Sequence, residues 1–149
     1  MAESGFEPKR SLGYLLNLAG RLLGRALDRR LAEHGVALGH FPLLLVLWEE
    51  ERLTQTEIAR RLDIVQPTVA NTLKRMQRDG LIAAAPDPAN ARRVLISLTE
   101  RGRALEPRLK QEARGVNAAA AREMSANELA DFRATLSKLI AALQQTLAG

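Results

Sequence analysis

Between Ser11 and about Glu33 the apolar residues Leu12, Leu15, Leu16, Ala19, Leu22, Leu23, Ala26, Leu27 and Leu31 recur at steps of three and four, which predicts an amphipathic helix. Ser11 is placed to cap it and Gly35 to end it. The aliphatic stripe is wider than a helix needs to cover one small core, so a second chain is its expected partner. A nearly all-apolar stretch follows from Gly39 to Glu51, with Pro42 in the first turn, where a missing N–H costs nothing. "TQTEIARRL" predicts a short third helix. Thr54 and Glu57 form a capping box, and Ile58 and Leu62 mark its buried side. After the turn "DIV", Pro67 suits a first helical position, and Val69, Leu73 and Met76 share one buried face. The opposite face carries Thr68, Asn71, Thr72 and Arg75, flanked by Lys74 and Arg78, and Gly80 stops the helix.

The periodicity then changes. "LIAAA" and "RRVLISL" read as two strands joined by the loop "PDPANAR", in which prolines, Asp87 and Asn90 favour a turn. Thr99 caps a long helical segment running to Met124 with a kink at Pro107. A last helix starts from a second capping box, Ser125 and Glu128, and carries Leu129, Phe132, Leu136, Leu139, Ile140, Leu143 and Leu147 on one stripe. The expected fold class is mainly α with a small β-hairpin. The expected organisation is a winged helix-turn-helix over residues 39–104, flanked by a helical dimerisation region made of 1–38 and 105–149.

Composition narrows the function. A formal net charge of +5 and a pI near 10.4 favour polyanionic partners, nucleic acid first. With no cysteine there is no thiolate metal site, disulfide or thiol nucleophile. The amino terminus lacks the apolar core of a secretory signal, and the longest apolar run, Phe41 to Trp48, is too short to span a bilayer. A cytoplasmic protein with no membrane partner is expected. Two histidines without a nearby nucleophile, and no glycine-rich phosphate loop, point to no reaction class, so no enzyme activity and no cofactor are expected. His34 and His40 lie close in sequence, but no further ligand cluster stands near them and no metal site is expected.

Two short helices with a tight turn, followed by a hairpin, make a winged helix-turn-helix, and the free face of its second helix has the residue types that read DNA. Threonine and asparagine meet base edges or thymine methyls, and arginine makes paired hydrogen bonds to guanine. The candidate DNA-binding residues are therefore Gln66 and Pro67 at the helix entrance, Thr68, Asn71, Thr72 and Arg75 on the reading face, Lys74 and Arg78 toward phosphates, and Arg92 and Arg93 in the wing. Strand alternation turns only one wing arginine outward, and Arg92, nearer the tip, is preferred. The rival from another class is a helical oligomerisation protein with only non-specific DNA affinity.

"TQTEIARRLDIVQPTVANTLKRMQRDGLI" followed by "DPANARRVLISLTERG" resembles the MarR family of bacterial transcription regulators in order and spacing. Arg92 matches the family's wing arginine and Asp87 its first wing acid, while Asn90 and Ala91 stand where members often carry charged residues. The resemblance implies a homodimer, formed through the terminal helices, that binds a pseudo-palindromic double-stranded operator. It further implies repression of a nearby gene and release by a small, often aromatic or phenolic, anionic effector. In the family the effector cleft lies near the start of the second helix, which makes His40, Phe41 and Trp48, with Arg21 and Arg25 from the first helix, the candidate effector residues.

Overall fold

A computed structural model describes residues 5–149. It divides into two compact units, one ending at Ala113 and the other Arg114–Gly149. The elements are α1 (Leu12–Ala32), a 3-10 turn (Leu38–His40), α2 (Phe41–Glu49), α3 (Gln55–Leu62), α4 (Gln66–Arg78), β1 (Ile82–Asp87), β2 (Asn90–Leu98), α5 (Glu100–Ala104), α6 (Glu106–Ala120) and α7 (Ala126–Ala148). The expected class, mainly helical with one antiparallel hairpin, is the class observed.

Helices α1, α3, α5 and α7 each start where a side chain satisfies an orphan backbone donor. Ser11 Oγ accepts from Tyr14 N–H at the head of α1. At α3 both halves of the capping box form: Thr54 Oγ1 accepts from Glu57 N–H at 3.2 Å, and Glu57 Oε2 accepts from Thr54 N–H at 3.1 Å. At α7 only half of the expected box forms, Ser125 Oγ accepting from Glu128 N–H at 3.1 Å.

Four boundaries differ from expectation. Helix α2 is shorter, entered by the 3-10 turn and ended at Glu49, because the chain turns to extended backbone at Glu50 and to φ 63° at Arg52. This turn carries Leu53 into a bridge with Ile96 of β2. Helix α4 begins at Gln66, so Pro67 takes its second position. The wing loop contracts to Pro88 and Ala89, with Pro86, Asp87, Asn90 and Ala91 all drawn into strands. Strand β1 has a neighbour on one side only, an edge setting in which proline is tolerated, and the register shifts between Pro86 and Asp87. Finally, the helix expected from Thr99 breaks at Leu105, just before Pro107, which has no N–H to return to the preceding turn.

In the first unit one core gathers Leu31 from α1, Leu43, Leu44 and Leu47 from α2, Ile58 from α3, Val69, Leu73 and Met76 from α4, Leu81, Ile82, Ile96 and Leu98 from the hairpin, and Leu109 from α6. Two joints tie the hairpin to this core. Gly80 leaves α4 at φ 74°, a left-handed turn that glycine makes without penalty, and Gly102 lets α5 approach so closely that a Cβ there would lie 2.3 Å from Leu81 O. Glu51 forms the second joint, accepting from Leu98 N–H at 2.9 Å and from Arg103 Nη2 and Nε at 2.8 and 3.0 Å. The guanidinium holds this carboxyl below its usual value, against the opposing effect of partial burial. No helix among the described residues is long and apolar enough to cross a membrane.

Candidate nucleic-acid interface

Helix α4 is anchored from below and presented from above. Val69, Leu73 and Met76 are buried in the core, while Gln66, Pro67, Thr68, Asn71, Lys74, Arg75 and Arg78 are exposed. Thr72 is half-buried, and its hydroxyl donates to Thr68 O at 2.9 Å, leaving its lone pairs and methyl for contact. The entrance is open: Val65, the residue before the helix, offers no side-chain cap and is itself exposed. Gln55 Nε2 donates to Gln66 O at 3.4 Å, so α3 supports the entrance from one side.

The tight turn rests on Asp63, at φ 52° and ψ 46°, a left-handed conformation that aspartate visits more easily than most residues. Around it Ile64 N–H donates to Ala59 O at 3.1 Å and closes the end of α3. The helix-turn-helix angle is thereby set by backbone hydrogen bonds and by Ile58 and Ala59 in the core.

Charge is unevenly committed across this face. Arg61 pairs with Glu50, and Arg78 Nε lies 3.3 Å from Asp79 Oδ1. Lys74, Arg75 and Arg92 form no ion pair among the described residues and remain available to a polyanion. Strand alternation separates the two wing arginines: Arg93 Nη2 lies 3.1 Å from Glu57 Oε1 and its Nη1 3.9 Å from Asp87 Oδ2, while Arg92 is exposed. Asp87 Oδ1 accepts from Ala89 N–H at 2.9 Å, and Asn90 Oδ1 accepts from Arg92 N–H at 3.2 Å, so side-chain turns brace the tip. Sequence reasoning saw Glu57 only as half of a cap. Its link to Arg93 spans 36 positions, and no local pattern announces it.

Four of the five candidate effector residues fall into two pairs, and His40 stands apart from both. Arg21 and Arg25, both exposed, line an open groove of about 790 Å³ with Leu16, Asn17, Asp28 and Leu38. Phe41 and Trp48 lie elsewhere, packed edge to face at 6.1 Å and 73°. Trp48 Nε1 donates to Gly102 O at 2.9 Å, and Lys110 Nζ lies 5.8 Å from its ring centroid. His40 is buried, its Nδ1 without a hydrogen-bond partner among the described residues. Burial lowers its pKa, Asp79 opposing and Arg75 and Arg78 reinforcing the effect, so its neutral form is favoured beneath the carboxyl end of α4. His34 Nε2 lies 3.8 Å from Glu112 Oε1, and no group of three or more metal-ligating side chains comes together among the described residues.

A sequence model of the MarR family matches residues 34–93, from the end of α1 to the wing arginines. The transcriptional regulator TtmR of Methylorubrum extorquens is 34% identical over 113 residues, 73% of this chain. Residues 34–93 are a MarR-family segment. The chain spans 58% of the length of TtmR, but 92% of that of the transcriptional repressor Rv2887 of Mycobacterium tuberculosis, to which it is 28% identical over 128 residues. Its fold is also that of MepR of S. aureus, solved as a DNA complex: the TM-score is 0.81 at 24% identity, over 89% of this chain and 98% of MepR. The curated relatives it matches are named as transcriptional regulators.

Proposed function

We propose that this chain is a homodimeric MarR-family repressor that reads a pseudo-palindromic operator and releases it when a small anionic effector binds. The observation that carries the reading is the underside-anchored helix α4, with Thr68, Asn71 and Arg75 exposed on one face beside a wing whose Arg92 is unpaired. Thr68, Asn71, Thr72 and Arg75 meet base edges in the major groove; Gln66, Pro67, Lys74 and Arg78 meet the backbone at its rims; Arg92 enters the adjacent minor groove. Arg93 sits beside it in the wing.

The dimer reading draws on the terminal helices. Helix α1 exposes Leu12, Leu15, Leu22 and Leu23, and α7 exposes Phe132, Ile140, Leu143 and Leu147. Apolar stripes of that length are rare on monomers, which supports residues 1–38 and 105–149 as the dimerisation region and 39–104 as the reading domain. Two α4 helices about 34–36 Å apart would address successive major grooves.

Repression accords with the name of the Rv2887 relative. For the effector, the Arg21–Arg25 groove offers cations above an aliphatic floor, suited to a carboxylate or phenolate on an aromatic body, whereas Phe41 and Trp48 serve through packing. Binding there and at DNA must be linked reciprocally. The proposed compartment is the cytoplasm, where the operator is.

The test has two steps. Sequencing the genomic fragments retained by the purified protein should return an inverted repeat; retention of unrelated sequences alike would defeat the operator reading. Titrating aromatic acids should then find one that releases the fragment and binds more weakly when the fragment is present. Equal affinity with and without DNA would defeat the switch.

A further inference from the structure

The wing arginines differ in more than orientation. Arg92 faces solvent with its charge uncommitted, whereas Arg93 is shared between two acids from two elements, Glu57 of α3 and Asp87 of β1. Both acids are already oriented before Arg93 meets them. Glu57 uses Oε2 in the capping box and offers Oε1, and Asp87 uses Oδ1 in the turn and offers Oδ2. A planar fork meeting two fixed acceptors loses less side-chain freedom on pairing than a surface pair of mobile chains does.

A two-stranded hairpin is marginally stable alone, and here its root is held by Leu53, Ile96 and Leu98 in the core while its distal part, from Ala83 to Val94, is exposed apart from the half-buried Asp87. The Arg93 link is the described side-chain connection from that distal part to the helix-turn-helix. Asn90 contributes no charge to the wing, its oxygen accepting from Arg92 N–H, and the two acids share the single positive charge of Arg93.

The geometry points to Arg93 as a positioning residue: a strut that, through Glu57 and Asp87, sets the angle at which the wing delivers Arg92 to DNA. It rests on the reading that the wing enters a groove. A strut and a phosphate contact make opposite demands on Glu57. If Arg93 only met phosphate, Glu57 would be an acid competing with DNA, and removing its charge would tighten binding. For a strut, removing that charge loosens the wing and weakens binding.

The experiment compares Arg92→Ala, Arg93→Ala, Glu57→Gln and the Arg93→Ala/Glu57→Gln double variant on a duplex enriched from a random pool by the intact protein. Affinity is measured over a range of salt, with hydroxyl-radical protection of the flanks. Glutamine still serves in a capping box, so Glu57→Gln keeps the helix start, and thermal melting checks that each variant folds. Arg92→Ala should lower the salt slope by about one and expose the flanks. Glu57→Gln and Arg93→Ala should each weaken binding about 2- to 5-fold, the worth of one half-exposed ion pair, with the salt slope kept and flank protection blurred. The double variant should be no worse than either single one.

Tighter binding by Glu57→Gln, additive losses in the double variant, or a slope lowered by about one in Arg93→Ala would each overturn the strut. Unchanged flanks in Arg92→Ala would overturn the groove-entry reading itself, a different signature from failure of the strut alone.

Discussion

In the segment from α2 to the wing the large aliphatic residues are inside, with Leu44, Leu47, Ile58 and Leu81 fully buried. The amino-terminal half of α1 and all of α7 spend similar residues differently: Leu12 is 68% exposed, Leu22 52%, Ile140 52% and Leu143 52%. Both regions contain helices with an apolar side, so the difference lies in what lies opposite that side. The centre carries its own partners within one chain, whereas the exposed stripes of the termini are the proposed dimer surface. Stability in the first region is therefore a property of the chain, and in the second a property of the proposed dimer.

The sharpest way to break that comparison is a matched pair of substitutions. Leu44→Ala should cost about 2–5 kcal/mol, as expected for a fully buried leucine, at any protein concentration. Ile140→Asp removes little packing from the chain itself, and its cost should appear as a melting temperature that falls on dilution and a shift to monomer in sedimentation. Equal, concentration-independent losses from both would mean that α7 is already satisfied within one chain.

Within the centre the polar face of α4 can be divided the same way. Arg75→Ala should cost about 1–3 kcal/mol of binding and relax preference at one base position, whereas Lys74→Ala should weaken all duplexes alike and lower the salt slope by about one. Competition binding with single-base operator variants at several salt concentrations separates the two. If Arg75→Ala weakens every duplex equally, it is a phosphate contact and no reader.

The reach of the amino-acid pattern follows the range of the interactions. The α4 faces were legible because Val69, Leu73 and Met76 sit at helical spacing, and the α3 start because both partners of its cap lie three residues apart. The wing strands were under-read: Pro86, Asp87 and Asn90 have turn character, and only pairing with β2 draws them into the ladder. The Arg93–Glu57 link and the Glu51 joint, 36 and 52 positions apart, have no local signature at all. The candidate effector residues came only from family resemblance, and the fold brings Arg21 together with Arg25 while it packs Phe41 against Trp48.

His40 joins the buried floor to the reading face and gives the centre a pH dependence of its own. Its pKa is depressed by burial, with Asp79 opposing and Arg75 and Arg78 adding to the depression. The sign follows from linkage: the unfolded chain, near the ordinary value of 6.5, takes up the proton first, so stability is whole above that value and falls as pH drops through it toward the folded-state value. Melting temperatures between pH 7.5 and about 5 should decline in the parent and flatten in His40→Leu, which keeps an apolar body in the site. A parent whose stability rises over that interval would reverse the assignment.

The smallest expected effect concerns the helix-turn-helix turn. Asp63 takes the left-handed conformation at the carboxyl end of α3, where its charge also opposes the helix dipole. Asp63→Gly removes both penalties and adds the chain entropy of glycine, for a net gain of about 0.5 kcal/mol. Asp63→Asn keeps a residue that tolerates the conformation and removes the charge alone, so the difference between the two variants isolates the backbone contribution. Asp63→Asn should also tighten DNA binding slightly at low salt, since an acid leaves the reading side of the molecule. Denaturant melts of both variants decide the point: a loss of stability in each would mean that the Asp63 carboxylate makes a stabilising contact that outweighs its conformation.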